Sequence, residues 1–542
     1  MLNNVLRRII VKRKFIIFVL SLVAILAVFS ACSDEKNAIT VNLYNETKTV
    51  YTNENGEYTL DTPTRTGYKF ISFIKEDGSP FELTGTVTEN VTVSAQWEIL
   101  PTSTFEQLKE RIESGADKIL LTDSITMTDT VYVVADTEIT ATVPVKLSRG
   151  ASFFGDLFVI GESRDGKITV IQTGNISSLS IKPQNTSITF DGENIASQGT
   201  AFFLVYSSTL NIHDGVIIQG FNKTGNARLS ESNAYNVSYP EKVGGAAVII
   251  TSGTMNMYGG TITNCTVNSS DGVSSCGGAI YNYGNFHMYG GTVSSNTAAR
   301  AGAIYNYRTA KIYAGTFDGN YAAVYGGMMY MPNSQYTYCI MGKDGIGEAV
   351  IIKNNSAKKS GGAIFASHQS AMEIYGSTVF DGNSSKSNGG AINMAGALTV
   401  NYAIFKNNVS DVKGGAIYAY HGDAEYSTRY VTIKAGKFLD NVAPRGAAIG
   451  FSGNDDDENN IIGAIGFIGA VTFEGNHAVK DSKNKYGYGS AIFATISSKV
   501  SVSANAVFTD NPADDATIID NKVIYKNKNS TVAFEDADME IS

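Results

Sequence analysis

One small element recurs nine times between about residue 244 and residue 511: a Gly-Gly-Ala-Ile-like tetrad, an alternating strand, then a Phe or Val followed three residues later by Asn. Repetition at a period of roughly 25 residues fixes an architecture before any single residue is interpreted. It also favours an elongated surface over a solitary catalytic pocket. The alanines fall at Ala246, Ala279, Ala303, Ala363, Ala391, Ala416, Ala448 and Ala491, with Met328 filling the gap, so separations run 33, 24, 25, 35, 28, 25, 32 and 43 residues. A minimum near 24 with insertions is the signature of a solenoid coil of fixed cross-section carrying variable loops. The Leu and Asn ladder of a leucine-rich horseshoe is absent, and propeller blades are longer.

Phe317, Phe380, Phe405, Phe438, Phe473 and Phe508 precede Asn320, Asn383, Asn408, Asn441, Asn476 and Asn511 by three residues, with Val293 and Asn296 as a variant. Stacked coils would superpose the Phe rings in the core. Asn at a constant turn satisfies buried backbone groups and tolerates a left-handed conformation. Paired glycines allow close backbone approach and Ala fits a narrow corner. These repeats resemble those of the chlamydial polymorphic outer-membrane proteins and similar bacterial right-handed β-helix surface proteins. The resemblance covers roughly 244–511, with weaker coils back to about 118, and implies a role in adhesion; the expected fold is an all-β, pectate-lyase-like right-handed parallel β-helix over 118–542. A lipoprotein-like N-terminus stands where that family has a C-terminal barrel.

Ahead of the repeats, residues 38–98 read as a small β module: Val41–Val50 and Tyr58–Leu60 suggest short strands, then Thr62-Pro63-Thr64-Arg65-Thr66-Gly67-Tyr68-Lys69-Phe70 turns into another, and Val91, Val93, Ala95 and Trp97 alternate. The layout resembles the Listeria-Bacteroides, or internalin B-type, repeat, with Phe73 where that family carries Trp. This implies a β-grasp-like spacer or contact module without catalysis. Residues 99–117 form a linker and a capping helix. Thr104 and Gln107 make a capping-box pattern, Phe105, Leu108 and Ile112 share a face, and Gly115 stops the helix. Short strands follow at Ile168–Val170, Leu179–Ile181, Ile188–Phe190 and Leu210–Ile212. We expect 13 to 16 coils and a rod of roughly 60 to 80 Å.

The first 31 residues combine Arg7, Arg8, Lys12, Arg13 and Lys14 with an apolar run from Phe15 to Phe29, too short for a comfortable membrane span. Ser30-Ala31-Cys32 makes the segment look like a bacterial lipoprotein signal peptide, leaving Cys32 as the lipidated terminus. The expected partner there is a lipid bilayer, and the expected location is the cell envelope, surface-exposed, with 32–37 as tether. Ser33-Asp34-Glu35 resembles the acidic tract of surface-exported lipoproteins. Net charge is -9 for the 542 residues, and no basic stripe suited to nucleic acid remains. Of the other cysteines, Cys265 and Cys276 either pair or stay buried as small side chains with Cys339.

Candidate chemistry is sparse, and no cofactor motif is present. Asp455, Asp456, Asp457 and Glu458 form an acidic run that holds calcium only if its loop folds the carboxylates together, and is otherwise a solvated loop. Arg300, Arg308 and Arg445 are the basic candidates for a polysaccharide lyase. Asp318, Asp381 and Asp440 recur in one turn and are candidates for a glycosidase pair. His213, His287, His368, His421 and His477 share no metal-ligand spacing. Tyr281 and Tyr283, Tyr305 and Tyr307, and Tyr418 and Tyr420 alternate on one strand face. If that face meets water the pairs form a ligand-contact strip for a polysaccharide or a host or matrix protein, and if not they are core stacking. The leading expectation is an adhesin or glycan- and matrix-binding rod, with a lyase or hydrolase, or a structural envelope protein, as alternatives.

Overall fold

The computed structural model describes residues 36–161, 177–205, 207–225, 244–269, 272, 274–343, 348–421, 430–453, 465–483, 485–495, 498–514, 524–526 and 530–535. Ile168–Val170, Cys32 and the acidic run Asp455–Glu458 lie outside the described residues. The chain divides into two units, Met1–Leu100 and Pro101–Ser542.

In the first unit, the expected run from Val41 to Val50 is a hairpin, Ala38–Asn42 against Thr47–Tyr51. Ala38–Asn42 pairs in parallel with Val91–Ile99, which pairs antiparallel with Tyr68–Lys75. The result is a mixed, β-grasp-like sheet whose companion is a two-stranded ribbon, Glu57–Thr59 with Thr84–Thr86. Ile39, Val41, Tyr58, Leu60, Phe73, Phe81 and Val93 form its core. Phe73 fills its place at 1% exposure, packed against Phe70. The Arg65 guanidinium lies 3.4 Å from the ring centroid of Tyr44 and 3.6 Å from that of Tyr68, which is why Arg and Tyr sit three apart around this turn.

The second unit is a right-handed parallel β-helix. Helix α1, Phe105–Glu113, closes its first coil with Leu108 and Ile112 buried. Thr104 caps it by accepting from Gln107 N, while Gln107 Oε1 accepts from the Ser103 amide at 3.0 Å. The box therefore closes one residue earlier than the pattern predicts. Gly115, at φ 80, ends the turn.

Each complete coil contributes four strands, shown by the 24-residue coil Ile280–Asn282, Asn285–Met288, Thr292–Ser294 and Thr297–Arg300. We call these positions A, B, C and D. Parallel strands cannot be joined by tight hairpins, so each must be reached by a full turn of chain. Among the described residues position A stacks 13 strands, which is the low end of the expected coil number and spans about 58 Å between the first and the last. Register is strict: Ile280, Tyr281 and Asn282 lie on Ile304, Tyr305 and Asn306.

Two columns hold that register. Asn296, Asn320, Asn355, Asn383, Asn408, Asn441, Asn476 and Asn511 form a buried ladder at the C–D corner. In each step Nδ2 donates to the Oδ1 of the next Asn at 2.9–3.0 Å, and the same Oδ1 accepts the preceding Asn amide. Nδ2 also donates to a carbonyl of the previous coil, as from Asn408 to Phe380 O at 3.0 Å. Asn355, three residues after Ile352, is a rung the Phe pattern omits, and the Cys265 amide donates to Asn296 Oδ1, so Cys265 occupies the next rung. The left-handed residue is not the ladder Asn, as the sequence suggested, but the one before it: Ser295, Gly319, Asn354, Gly382, Asn407, Asp440, Gly475 and Asp510. Inside, Phe380, Phe405, Phe438, Phe473 and Phe508 stack with centroids 4.7–5.2 Å apart.

The second column is the D–A corner. Its first glycine is left-handed, as at Gly277, Gly326, Gly361, Gly389 and Gly414, with Ala301 adopting φ 58 in the same place. A Cβ on the second glycine would strike the next coil's carbonyl, at 2.0 Å from Gly390 to Gly415 O. The small residue that follows stacks directly, and the first of these is Ala247, not Ala246, because Ala247 N donates to Ala279 O. Cys265, Cys276 and Cys339 are free buried thiols, so Cys265 and Cys276 do not pair.

Replacing Asn408 by Ala leaves the Asn383 amide and carboxamide without their acceptor, and we expect a loss of about 2 to 5 kcal/mol in denaturant unfolding. The adjacent Asn407→Gly, at a left-handed position, should stay within about 1 kcal/mol of the parent.

Candidate functional site

The tyrosine pairs lie along position A and the turn that follows it. The outward column of position A runs Tyr132, Val159, Phe203, Ile249, Tyr281, Tyr305, Tyr330, Phe365, Asn393, Tyr418, Gly450, Phe493 and Tyr525 in register. Tyr281 and Tyr305 stack at 4.8 Å, and Tyr283 and Tyr307, beside them at the A–B turn, at 4.0 Å. The paired tyrosines do share a face, and it is the outer one. Tyr281, Tyr305 and Tyr418 are nevertheless only 2%, 4% and 7% exposed. Tyr281 and Tyr305 belong to a second apolar cluster, outside the solenoid core, with Val159, Phe203, Val205, Ile249, Cys276 and Ala301. Burial pushes the Tyr281 and Tyr305 phenols well up, and that of Tyr420 to about 12. Solvent reaches chiefly the partly buried Tyr283, Tyr307, Tyr330 and Tyr420.

The candidate acids and bases do not converge. Asp318 and Asp381 share an outward column at the end of position C, but Lys353 stands between them and Lys406 follows. Lys353 pairs with Asp318 at 3.3 Å and Lys406 with Asp381 at 3.2 Å. Two coil steps put the carboxylates about 9.6 Å apart with a cation between, a neutralised ladder unsuited to sharing a proton. Asp440 occupies the neighbouring left-handed column instead. Arg300 and Arg445 lie in one column at the D–A corner, five coils apart, whereas Arg308 follows position A near Tyr336. His213 and His287 are held below the usual imidazole range, first by desolvation and then by Lys182 and Lys311 respectively. His368 packs edge-on to Tyr420, His477 bonds Asp514 at 2.8 Å, and His421 ends the strand Ile417–His421. Among the described residues no three metal-ligating side chains come together.

An exposed aromatic column lies elsewhere, at the B–C corner. His213, Tyr258, Tyr289 and Tyr313 each follow position B by one residue and stack in succession at 5.0, 5.1 and 5.4 Å. Tyr258 and Tyr289 are 45% and 41% exposed. Interplanar angles of 11° to 30° show that the rings cover one another's faces, leaving edges and phenolic oxygens to solvent. On one flank Asn256 donates to Asn211 Oδ1 at 2.9 Å and its own Oδ1 meets His287 Nδ1 at 3.2 Å. On the other, Thr261, Thr292 and Thr316 form an outward column beside Thr263 and Ser294. The sequence carries this column as Met257-Tyr258-Gly259-Gly260, Met288-Tyr289-Gly290-Gly291 and Ile312-Tyr313-Ala314-Gly315, a pattern distinct from the Gly-Ala and Phe-to-Asn repeats. Corner glycines such as Gly260 and Gly291, at φ 79 and 91, make the turn that projects each ring.

The Chlamydia polymorphic membrane protein repeat matches residues 349–367, 377–394 and 403–420, a small part of the chain. Each match spans positions C and D of one coil and position A of the next, and contains Asn355, Asn383 or Asn408 with its glycine pair. The likeness is therefore to the scaffold corners, and none of the exposed aromatic residues falls within it. No curated protein and no solved structure matches the chain.

The buried tyrosines carry a pH signature. A phenol whose folded-state pKa is raised above 10 keeps its proton where the unfolded chain loses it, so stability present below pH 10 falls as pH rises past that value. We expect tyrosinate absorbance to appear in a cooperative step with alkaline unfolding, and Tyr281→Phe with Tyr305→Phe to move the midpoint upward.

Proposed function

We propose that the solenoid is a binding rod that engages an extended glycan, as an adhesin or matrix-binding protein held at the bacterial surface through lipidated Cys32. The observation that carries this reading is the His213–Tyr258–Tyr289–Tyr313 column, half-buried at its ends and exposed at Tyr258 and Tyr289, with its flanking amides and hydroxyls. Ring edges and phenolic oxygens repeated about every 5 Å combine apolar area with hydrogen-bonding tips. An uncharged polymer with regularly spaced hydroxyls fits such a ridge better than a compact ligand does. The ring faces are already stacked on one another, so contact comes from edges and hydroxyls, not from sugars laid flat on a Tyr face. The neutralised Asp318–Lys353–Asp381–Lys406 column supports recognition over hydrolysis at that turn.

The test is binding of the full-length chain to a broad panel of glycans and to cell-surface preparations. Tyr258→Ala combined with Tyr289→Ala should weaken the interaction at least about tenfold, a loss of some 1.4 kcal/mol, with thermal stability retained. Absence of binding to the entire panel sinks the reading. The tether is checked separately: metabolic labelling with a clickable fatty acid should tag the parent chain, and Cys32→Ala should lose the tag and move to the soluble fraction.

A further inference from the structure

Charge is segregated around the coil in a way that composition hides. The residue before each left-handed corner residue at D–A forms a column: Cys276, Arg300, Tyr325, Ser360, Asn388, Lys413, Arg445 and Tyr488. It is defined by successive backbone bonds from Gly277 N to Arg300 O, Ala301 N to Tyr325 O, Gly326 N to Ser360 O, Gly361 N to Asn388 O, Gly389 N to Lys413 O, Gly414 N to Arg445 O and Gly446 N to Tyr488 O. Beside it, position D and its corner add Lys358, Lys359 and Lys386. From Arg300 to Arg445 the D and A segments of these coils carry a single carboxylate, Asp411, which sits 3.3 Å from Lys386. Among the described residues Arg300, Lys358, Lys359 and Arg445 make no ion pair, and the Nε atoms of Arg300 and Arg445 have no hydrogen-bond partner. All of this stands on a chain of net charge -9.

The cations are also held in place. Arg300 lies over Tyr330 at 5.6 Å, Lys359 over Tyr325 at 5.8 Å, Lys413 over Tyr418 at 5.7 Å and Arg445 over Tyr486 at 4.1 Å. Packing over ring faces fixes a cation without cancelling its charge, unlike the Asp–Lys alternation on position C. Five coil steps separate Arg300 from Arg445, so the edge extends about 24 Å.

We propose that this basic, aromatic-backed edge binds an acidic polysaccharide, a chain bearing carboxylate or sulfate groups on successive sugars. A polymer is required because the cations lie along a line and do not surround a point. A polysaccharide is favoured over nucleic acid because the rings behind the cations are stacked on each other or covered, as Tyr330 is on Phe365 at 5.4 Å, leaving no open face on which a base could stack. This extends the binding-rod reading to a second face and rests on it.

The experiment compares dextran sulfate with dextran, which differ only in charge, and adds the polyuronate alginate and duplex DNA, each with the full-length chain. Expected are binding to dextran sulfate and alginate that weakens steeply with salt, at least about tenfold weaker binding to dextran, and weaker binding to DNA. Arg300→Gln, Lys413→Gln and Arg445→Gln together should cost about tenfold or more, and the separate exposed pair Lys358→Gln and Lys359→Gln severalfold with unchanged thermal unfolding. Equal affinity for dextran and dextran sulfate, equal or tighter binding to DNA, or full binding by both sets of variants overturns the inference. Loss of acidic-glycan binding in the Tyr258→Ala, Tyr289→Ala chain to the same extent also overturns it, since the two faces would then not be separate. Binding of glycans without charge preference removes this inference and leaves the binding rod standing, whereas no glycan binding at all removes both.

Discussion

Everything regular in this molecule depends on the buried asparagine ladder. Each carboxamide is donor to one coil and acceptor for the next, and its Nδ2 also ties down a carbonyl that would otherwise be orphaned inside the turn. A slip of one residue would break several such bonds at once and leave buried amides unpaired, which is costlier than any gain from repacking. Coils are therefore locked in register over the whole Asn296–Asn511 run. Only a backbone already turned into the left-handed region can aim the carboxamide inward, so the preceding Gly, Asn, Asp or Ser is as much a part of the rung as the Asn itself.

That coupling explains what was legible in the sequence. Phe and Asn three apart, and the glycine pair, are demanded by geometry and so recur visibly. The residue between them varies because several short side chains tolerate φ near 55, and this variety hid its role. Asn355 escaped the pattern because Ile352 fills the volume that Phe fills elsewhere. Toward the N-terminus the ladder position is held by Cys265 and then Phe221, whose backbone carbonyl receives the Thr266 amide. With carboxamides replaced by apolar groups the early coils keep their strands and lose their written repeat.

The candidate surfaces were less legible, for a different reason. Alternation correctly put Tyr281 and Tyr283 on one face, but whether that face meets water is set by neighbouring columns supplied from 20 to 40 residues away. Tyr281 is closed over by Cys276, Ala301 and Ile249 of its own and adjacent coils. Tyr258 and Tyr289, at a corner where the chain turns through glycine, have no such neighbours. A single Tyr after an apolar residue carries no mark of which case applies.

Register also decides the style of chemistry available to the surface. Once coils cannot slip, every outward side chain repeats its neighbour about 4.8 Å further on, so like groups form lines. Acid–base catalysis needs two unlike groups converging on one atom, and the acidic column of Asp318 and Asp381 alternates with lysine and neutralises itself. Lines of phenols, amides and cations instead suit a partner that is itself a line. On such a surface each contact is modest, and affinity grows because every bound unit raises the effective concentration of the next. The same geometry disperses the binding energy: truncating one rung removes one contact among many, while truncating a column removes the recognition.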